Sequence, residues 1–323
     1  MNILVKALIA AASAFCAVTS ASAAPYPERP IRLIVPFAPG GTVNLIARVL
    51  AQRLSESVGQ PVVVENKPGA GGTIGADLVA KAPPDGYTLL LASSSHQTFH
   101  PLLYKNLPYD ASKAFAQVAL FASVPNVLVV STALPAKNVK ELIALSKSGG
   151  KKLFMGSAGN GSVNQMVGEL FQLKTGTAFE HVPFKGAGPA ATDLLAGQID
   201  LMFVNLPNVL PQIQSGKIRA LAIAGDRRAA SLPDVPTMAE AGVPEVVVDS
   251  WAGVLAPAAT PKPIVDRLSA EINKLARQKS TADSLAVQGV VPLPGTPADY
   301  AALVRFETQR WGEVIKKGNI TID

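Results

Sequence analysis

The stretch VPFAPGGTVNLIAR, residues 35–48, carries the reading of the fold. An apolar run ends at a Pro-Gly-Gly turn, and an amphipathic stretch starts directly behind it. Leu45, Val49, Leu50 and Leu54 recur near helical spacing, which predicts a helix from Asn44 to about Ser57 with Asn44 as its N-cap. A strand, a glycine turn and a helix in that order usually bring exposed backbone N–H groups to a ligand.

The same grain repeats along the chain. PVVVEN leads through KPGAGG to a helix near residues 73–81, and YTLLLAS follows a Pro-Pro-Asp-Gly break. FAQVALFASVPNVLVVST reads as two apolar runs hinged at Pro125 with no helix between them. Alternation then resumes: a helix near 138–147, LFMGSAGNGS, a helix from about 163 to 174, AFEHVPF, PAATDLLAGQ, IDLMFV and IRALAIAG. Buried runs alternating with helices predict an α/β protein of mostly parallel sheets. After SWAGVLAP only helices are expected, at 264–277 and 297–317. A lone strand with two helices makes a poor domain, so this tail is read as returning to the first unit. The result is two lobes, residues 24–124 with 251–323 and residues 125–250, separated by an interlobe cleft.

Residues 1–23 are read apart from the fold. One early charge, Lys6, an apolar core and the triplet Ala21-Ser22-Ala23 predict a secretory leader cut after Ala23. Cys16, the only cysteine, lies within it, so the exported chain has no thiolate for catalysis, metal binding or disulfides. Without Lys6, the 29 basic and 23 acidic residues leave a formal charge of +5. The positive residues alternate with acids on helical faces, with no arginine-rich run or aromatic-basic platform, which argues against a nucleic-acid partner.

Two loops are candidates for holding an anion: Gly40-Gly41-Thr42 with Asn44, and GSAGNGS, with Ser157, Gly159, Gly161 and Ser162. One in each lobe could grip a carboxylate from both sides. Neither is G-x-G-x-x-G, and no G-x-x-x-x-G-K-[ST] occurs, so no nucleotide cofactor is expected. There is no G-x-S-x-G elbow, and HQTFH lacks the glutamate of a zincin, so neither a catalytic centre nor a metal is expected. Ser94 and His96 end a strand and can line the cleft, whereas His181 reads as a packed histidine. Lys185 and Gly186, in FKGAG, offer a counter-charge, and Asn205, in VNLP, a side-chain amide. Trp251 falls at a lobe crossing, where packing at the hinge is its plainer use.

YPERPIRLIVPFAPGG, VVVENKPGAGGTIGADLVAKAPPDGYTLLLAS, SAGNGS, HVPFKGAGPAATDLLAGQIDLMF and LPDVPTMAEAGVP with SWAGVLAPAATP resemble the Bug receptors. These are the TctC-type solute-binding proteins of tripartite tricarboxylate transporters. The resemblance implies a type II periplasmic-binding-protein fold that closes on a small organic carboxylate without catalysis, cofactor or metal. It also implies a periplasmic location and a membrane permease of one large and one small subunit as partner; a sensing role without transport stays open, and the rival class is a secreted hydrolase using a serine of the SSS run with His96. Gly40, Gly41, Thr42 and Asn44, and Ser157, Gly159, Gly161 and Ser162, match the family's gripping loops, and Lys185-Gly186 its Y-K-G element with Phe184 for tyrosine. Three positions depart from the family's pattern: Asn44 for a common Asp, Val204 for the Asp of LMFD, and His100 for the Asn of S-H-x-x-N-P. Losing two acids predicts a cleft suited to a more anionic or more apolar ligand, and restoring Asp at Asn44 or Val204 predicts weaker binding.

Overall fold

A computed structural model describes residues 26–321, so the expected leader and its cleavage point lie outside the described residues. The strands are β1 Ile31–Val35, β2 Val62–Asn66, β3 Thr88–Ser93, β4 Phe115–Ser131, β5 Leu153–Ser157, β6 Phe179–Pro183, β7 Leu201–Asn205, β8 Ile218–Ile223, β9 Asp249–Pro257 and β10 Val291–Gly295. Their order is β2-β1-β3-β9-β4-β7-β5-β6, with β10 and β8 also paired to β4.

Each half of this assembly has a parallel and an antiparallel part. β1 is parallel to β2 and β3, and β5 is parallel to β6 and β7. Parallel neighbours need crossovers, supplied by the helices Thr42–Val58, Thr73–Ala80, Val163–Thr175 and Ala187–Leu195. β9 runs antiparallel to β3 and β4, and β4 antiparallel to β7, β8 and β10. The sheets are therefore mixed, the antiparallel part being added by the two crossing strands.

The two apolar runs expected on either side of Pro125 form one strand. β4 pairs with β9 as far as Pro125 and with β7 and β8 from Asn126 or Val127 onward. Proline cannot donate to a ladder, and here it stands where the strand passes from one half to the other. The tail also differs from expectation: the helices Lys262–Ala276 and Pro297–Gly318 are present, but Lys279–Ala286 and β10 lie between them. Pro292 and Pro294 masked β10, which makes irregular edge pairing with β4.

One core lies under β1, β3 and β9, with Leu50, Leu54, Leu268 and Ile272 among its buried side chains. A second packs around β5 and β7, with Met166, Phe171 and Phe203. The last helix opens with a capping box, Thr296 with Asp299, and then spans both halves. Tyr300 packs edge-on against Trp251 at 5.3 Å, and Trp311 packs edge-on against Phe99 at 5.0 Å in the second core. Removing a buried indole of this kind costs about 3–5 kcal/mol, so this helix is a structural tie between the halves.

Candidate functional site

The loops that leave the C-terminal ends of β1, β3, β5, β6 and β7 meet where the two halves face each other. Thr42 Oγ1 donates to Asn208 Oδ1 at 3.0 Å on one flank, and Tyr104 Oη donates to the Asn160 carbonyl at 3.5 Å on the other. These bonds join the first half to the second.

The β1 loop turns through Gly40, whose φ of +89° is a left-handed conformation that favours glycine. The helix Thr42–Val58 is capped by the extended Gly41, not by Asn44, and its first turn has no side-chain cap. Asn44 lies inside that turn, buried, with its side chain directed inward. Its Nδ2 donates to Asn66 Oδ1 at 3.0 Å, while its Oδ1 accepts from Arg48 Nε at 3.2 Å and from Gly40 N at 3.4 Å. Asn66 in turn donates to the Phe37 carbonyl at 2.8 Å. Asn44 thus holds the loop in shape, leaving the uncapped N–H groups at the helix start as the acceptor of negative charge.

In the second half, Ser157 is fully buried, with Oγ 2.6 Å from His181 Nε2 and accepting from Gly159 N at 3.1 Å. His181 is the packed histidine expected, and burial holds its imidazole below the usual range. Ser162 caps the helix Val163–Thr175 through Gln165 N at 3.4 Å, and Gly161 N is occupied by Gln165 Oε1 at 2.9 Å. Phe184 N donates to the Ser157 carbonyl at 3.1 Å, which brings the β6 loop against this one. The helix Ala187–Leu195 starts from Gly186 with no side-chain cap, beside the exposed Lys185. Lys185 makes no ion pair among the described residues.

Asn205 stands at the crossing point. Its amide donates to Ser250 Oγ at 2.7 Å and to Asn126 Oδ1 at 3.4 Å, and Asn126 donates to the Val248 carbonyl at 2.9 Å. This polar knot ties β4, β7 and β9. Trp251 is buried against Tyr300, in the packing role anticipated for it.

Ser94 and His96 are buried. A π-turn, Ser95–Phe99, passes into the short helix His100–Leu103, with Pro101 in its first turn. The His96 ring lies 5.3 Å from Phe37 and 5.1 Å from His100, and burial lowers its pKa to about 4. Ser93 Oγ is 3.1 Å from His96 Nδ1, but Nε2 has no hydrogen-bond partner and no carboxylate orients the ring. A base that titrates near 4 and is sealed from solvent is poorly matched to serine activation at neutral pH. Val204 is also elsewhere than expected. It is fully buried in the apolar core with Val127 and Met202, so this departure from the family pattern does not line the cleft. No group of three or more metal-capable side chains exists among the described residues.

Asn208, Tyr104, Asn160, Asn66 and Arg48 were not anticipated. Their signal in the sequence is weak: Asn208, Tyr104, Asn160 and Asn66 act through partners distant along the chain, and Arg48, four residues from Asn44, reads only as a charge on a helix.

Two α/β halves joined by crossing strands, with glycine loops and uncapped helix starts between them, define a solute receptor of the periplasmic-binding-protein class. Residues 46–320 match the family described as tripartite tricarboxylate transporter family receptor, TctC. The chain belongs to that family. It is 43% identical over 297 residues to Protein BugT of Bordetella pertussis, covering 92% of this chain and 91% of that one. Its structure is similar to Rpa4515 of R. palustris with adipate, at TM-score 0.88 and 38% identity, covering 92% of this chain and 99% of the other. It is also similar to MatC of Rhodopseudomonas palustris with bound malate, at TM-score 0.83 and 35% identity, covering 90% and 99%.

Proposed function

We propose that this receptor captures a small aliphatic dicarboxylate between its halves and delivers it, unchanged, to a membrane permease of one large and one small subunit. Residues 24–124 with 251–323 form one moving body in this reading and residues 125–250 the other. The export leader is removed after Ala23, which a mass of the exported protein beginning at Ala24 would test.

The observation that carries the reading is the charge of the converging loops. Residues 36–55, 93–104, 157–168, 184–192 and 204–209 contain no Asp or Glu. Two helices begin there without side-chain caps, and Lys185 adds a cation. Micromolar binding requires about 8 kcal/mol; a few charge-assisted hydrogen bonds of about 1.5–3 kcal/mol each supply much of it. The adipate and malate in the two similar structures support the same ligand class.

Calorimetry on residues 24–323, unfolded and refolded to remove carried-over ligand, tests this with adipate, malate and the diamide of adipic acid. Binding of a diacid without binding of the diamide is expected, with the ligand recovered intact. Refolded protein that takes up neither acid, or that converts one, overturns the reading.

A further inference from the structure

Beside the crossing strands lies a cavity of about 290 Å³ with walls from both halves. Ser123 of β4 and Val291 of β10 line one side, and Gly225, Asp226 and Arg227, from the turn after β8, line the other. Asp249 stands at the junction as the first residue of β9, in register with Pro125. Its Oδ1 has no hydrogen-bond partner, and a Cβ built on Gly225 would lie 3.1 Å from it. The cavity adjoins the interlobe contact: a Cβ built on Gly289 would lie 3.1 Å from Leu206 and 3.5 Å from Ser231 Oγ. Gly289 belongs to the first half, and Leu206 and Ser231 to the second.

We propose that Asp249 is a proton-linked element of the hinge: closing the two halves takes up a proton on its carboxyl, so mild acid favours closure and ligand capture. This rests on the receptor reading above. In the arrangement held by Thr42–Asn208 and Tyr104–Asn160 both walls stand against Asp249 and bury its Oδ1, while the residue as a whole keeps partial exposure to the cavity. Separating the halves parts Gly289 from Leu206 and hydrates the carboxyl.

Burial raises the Asp249 pKa from 3.8 to about 6; Asp226 adds to this, Arg227 and the Ser123 hydroxyl oppose it, and Glu307 of the last helix adds a little. Arg228 is held by Glu240 at 2.9 Å, and Glu307 is held by Trp311 Nε1 at 2.7 Å. Residues 286–291 contribute no charge. An acid whose pKa is higher in the closed state binds more protons there. Closure is therefore disfavoured as pH rises through about 6 and recovers as pH falls toward 4.

The test uses adipate as probe and compares wild type with Asp249→Asn by calorimetry from pH 5 to 7.5; titration of the probe itself cancels in the ratio. Wild-type affinity should gain about tenfold more than the Asn variant between pH 7.5 and 5. Ser123→Ala should move the midpoint of that change to higher pH, which keeps the idea testable if the Asn variant folds poorly. Small-angle scattering without ligand separates the two readings. A radius of gyration that falls with acid in wild type but not in Asp249→Asn supports the hinge even if adipate binds neither protein. The same pH response in both proteins, by binding or by scattering, overturns it.

Discussion

Thr42 Oγ1 and Asn208 Oδ1, 166 residues apart in the chain, are joined by a 3.0 Å hydrogen bond across the line where the two halves meet. With Tyr104 and Asn160 on the opposite flank, this bond brackets the glycine loops. Closure therefore depends on side chains flanking those loops as well as on the ligand between them.

Replacing Thr42 by Val keeps the shape and removes the donor. A typical intramolecular hydrogen bond is worth about 0.5–1.5 kcal/mol, so adipate affinity should fall about 2- to 10-fold, chiefly through faster release. Stopped-flow dissociation measures this directly. In a double-mutant cycle with Asn208→Ala, additive effects would show that the two side chains do not work together.

Restoring Asp at Asn44 and at Val204 should have unlike consequences. At Asn44 the carboxylate would face Asn66 Oδ1, and the Asn66 amide could reverse only by giving up its bond to the Phe37 carbonyl. Weaker adipate binding through a loosened Gly40 loop, at a stability cost of about 1 kcal/mol, is expected. At Val204 a carboxylate would enter a sealed apolar core, at a cost of several kcal/mol. Urea unfolding should show Val204→Asp largely unfolded, and a folded variant with altered ligand choice would place Val204 at the cleft after all.

The buried His96 predicts acid sensitivity. Its pKa falls from 6.5 to about 4 through burial, and His100 beside it is lowered for the same reason, with His96 adding to the effect. Between those values the unfolded chain binds more protons than the folded one. The stability His96 contributes is thus complete above 6.5 and is lost as pH falls toward 4. Urea titrations at pH 7.5 and 4.5 should show His96→Gln losing about 2 kcal/mol less than wild type over that interval. Asp249 acts in the opposite sense between about 6 and 3.8, so the comparison belongs between variants within each pH. Equal losses in both proteins would mean that the imidazole is hydrated in solution.

The strand–turn–helix units were legible because each rests on local signals: an apolar run, a glycine turn and helical spacing, as at Ile31–Val58. His181 as a packed ring could be inferred for the same reason. What the sequence hid is non-local. Asn44 looked like a cap because asparagine ahead of a helical pattern usually is one, but Asn66 and Arg48 draw its side chain inward. Val204 was placed at the cleft by the resemblance, as the counterpart of the Asp of LMFD, but the alternation of β7 turns Val204 into the core and leaves Asn205 with the crossing strands. β10 escaped because its pairing to β4 is set by tertiary contact and not by its proline-containing sequence.

Lys185 is exposed beside the uncapped start of the helix Ala187–Leu195. An exposed lysine contributes little to affinity at physiological ionic strength, about 0.2–1 kcal/mol. Its larger effect is on encounter, since a cation at the mouth of a cleft attracts a dianion over roughly a Debye length, about 10 Å at 0.1 M salt. Lys185→Gln should therefore slow adipate association about 2- to 5-fold at low salt and flatten its salt dependence, with dissociation little changed. Stopped-flow association from 10 to 500 mM salt measures both. If the variant instead accelerates dissociation and leaves association unchanged, the ammonium touches the bound ligand and is part of the grip itself.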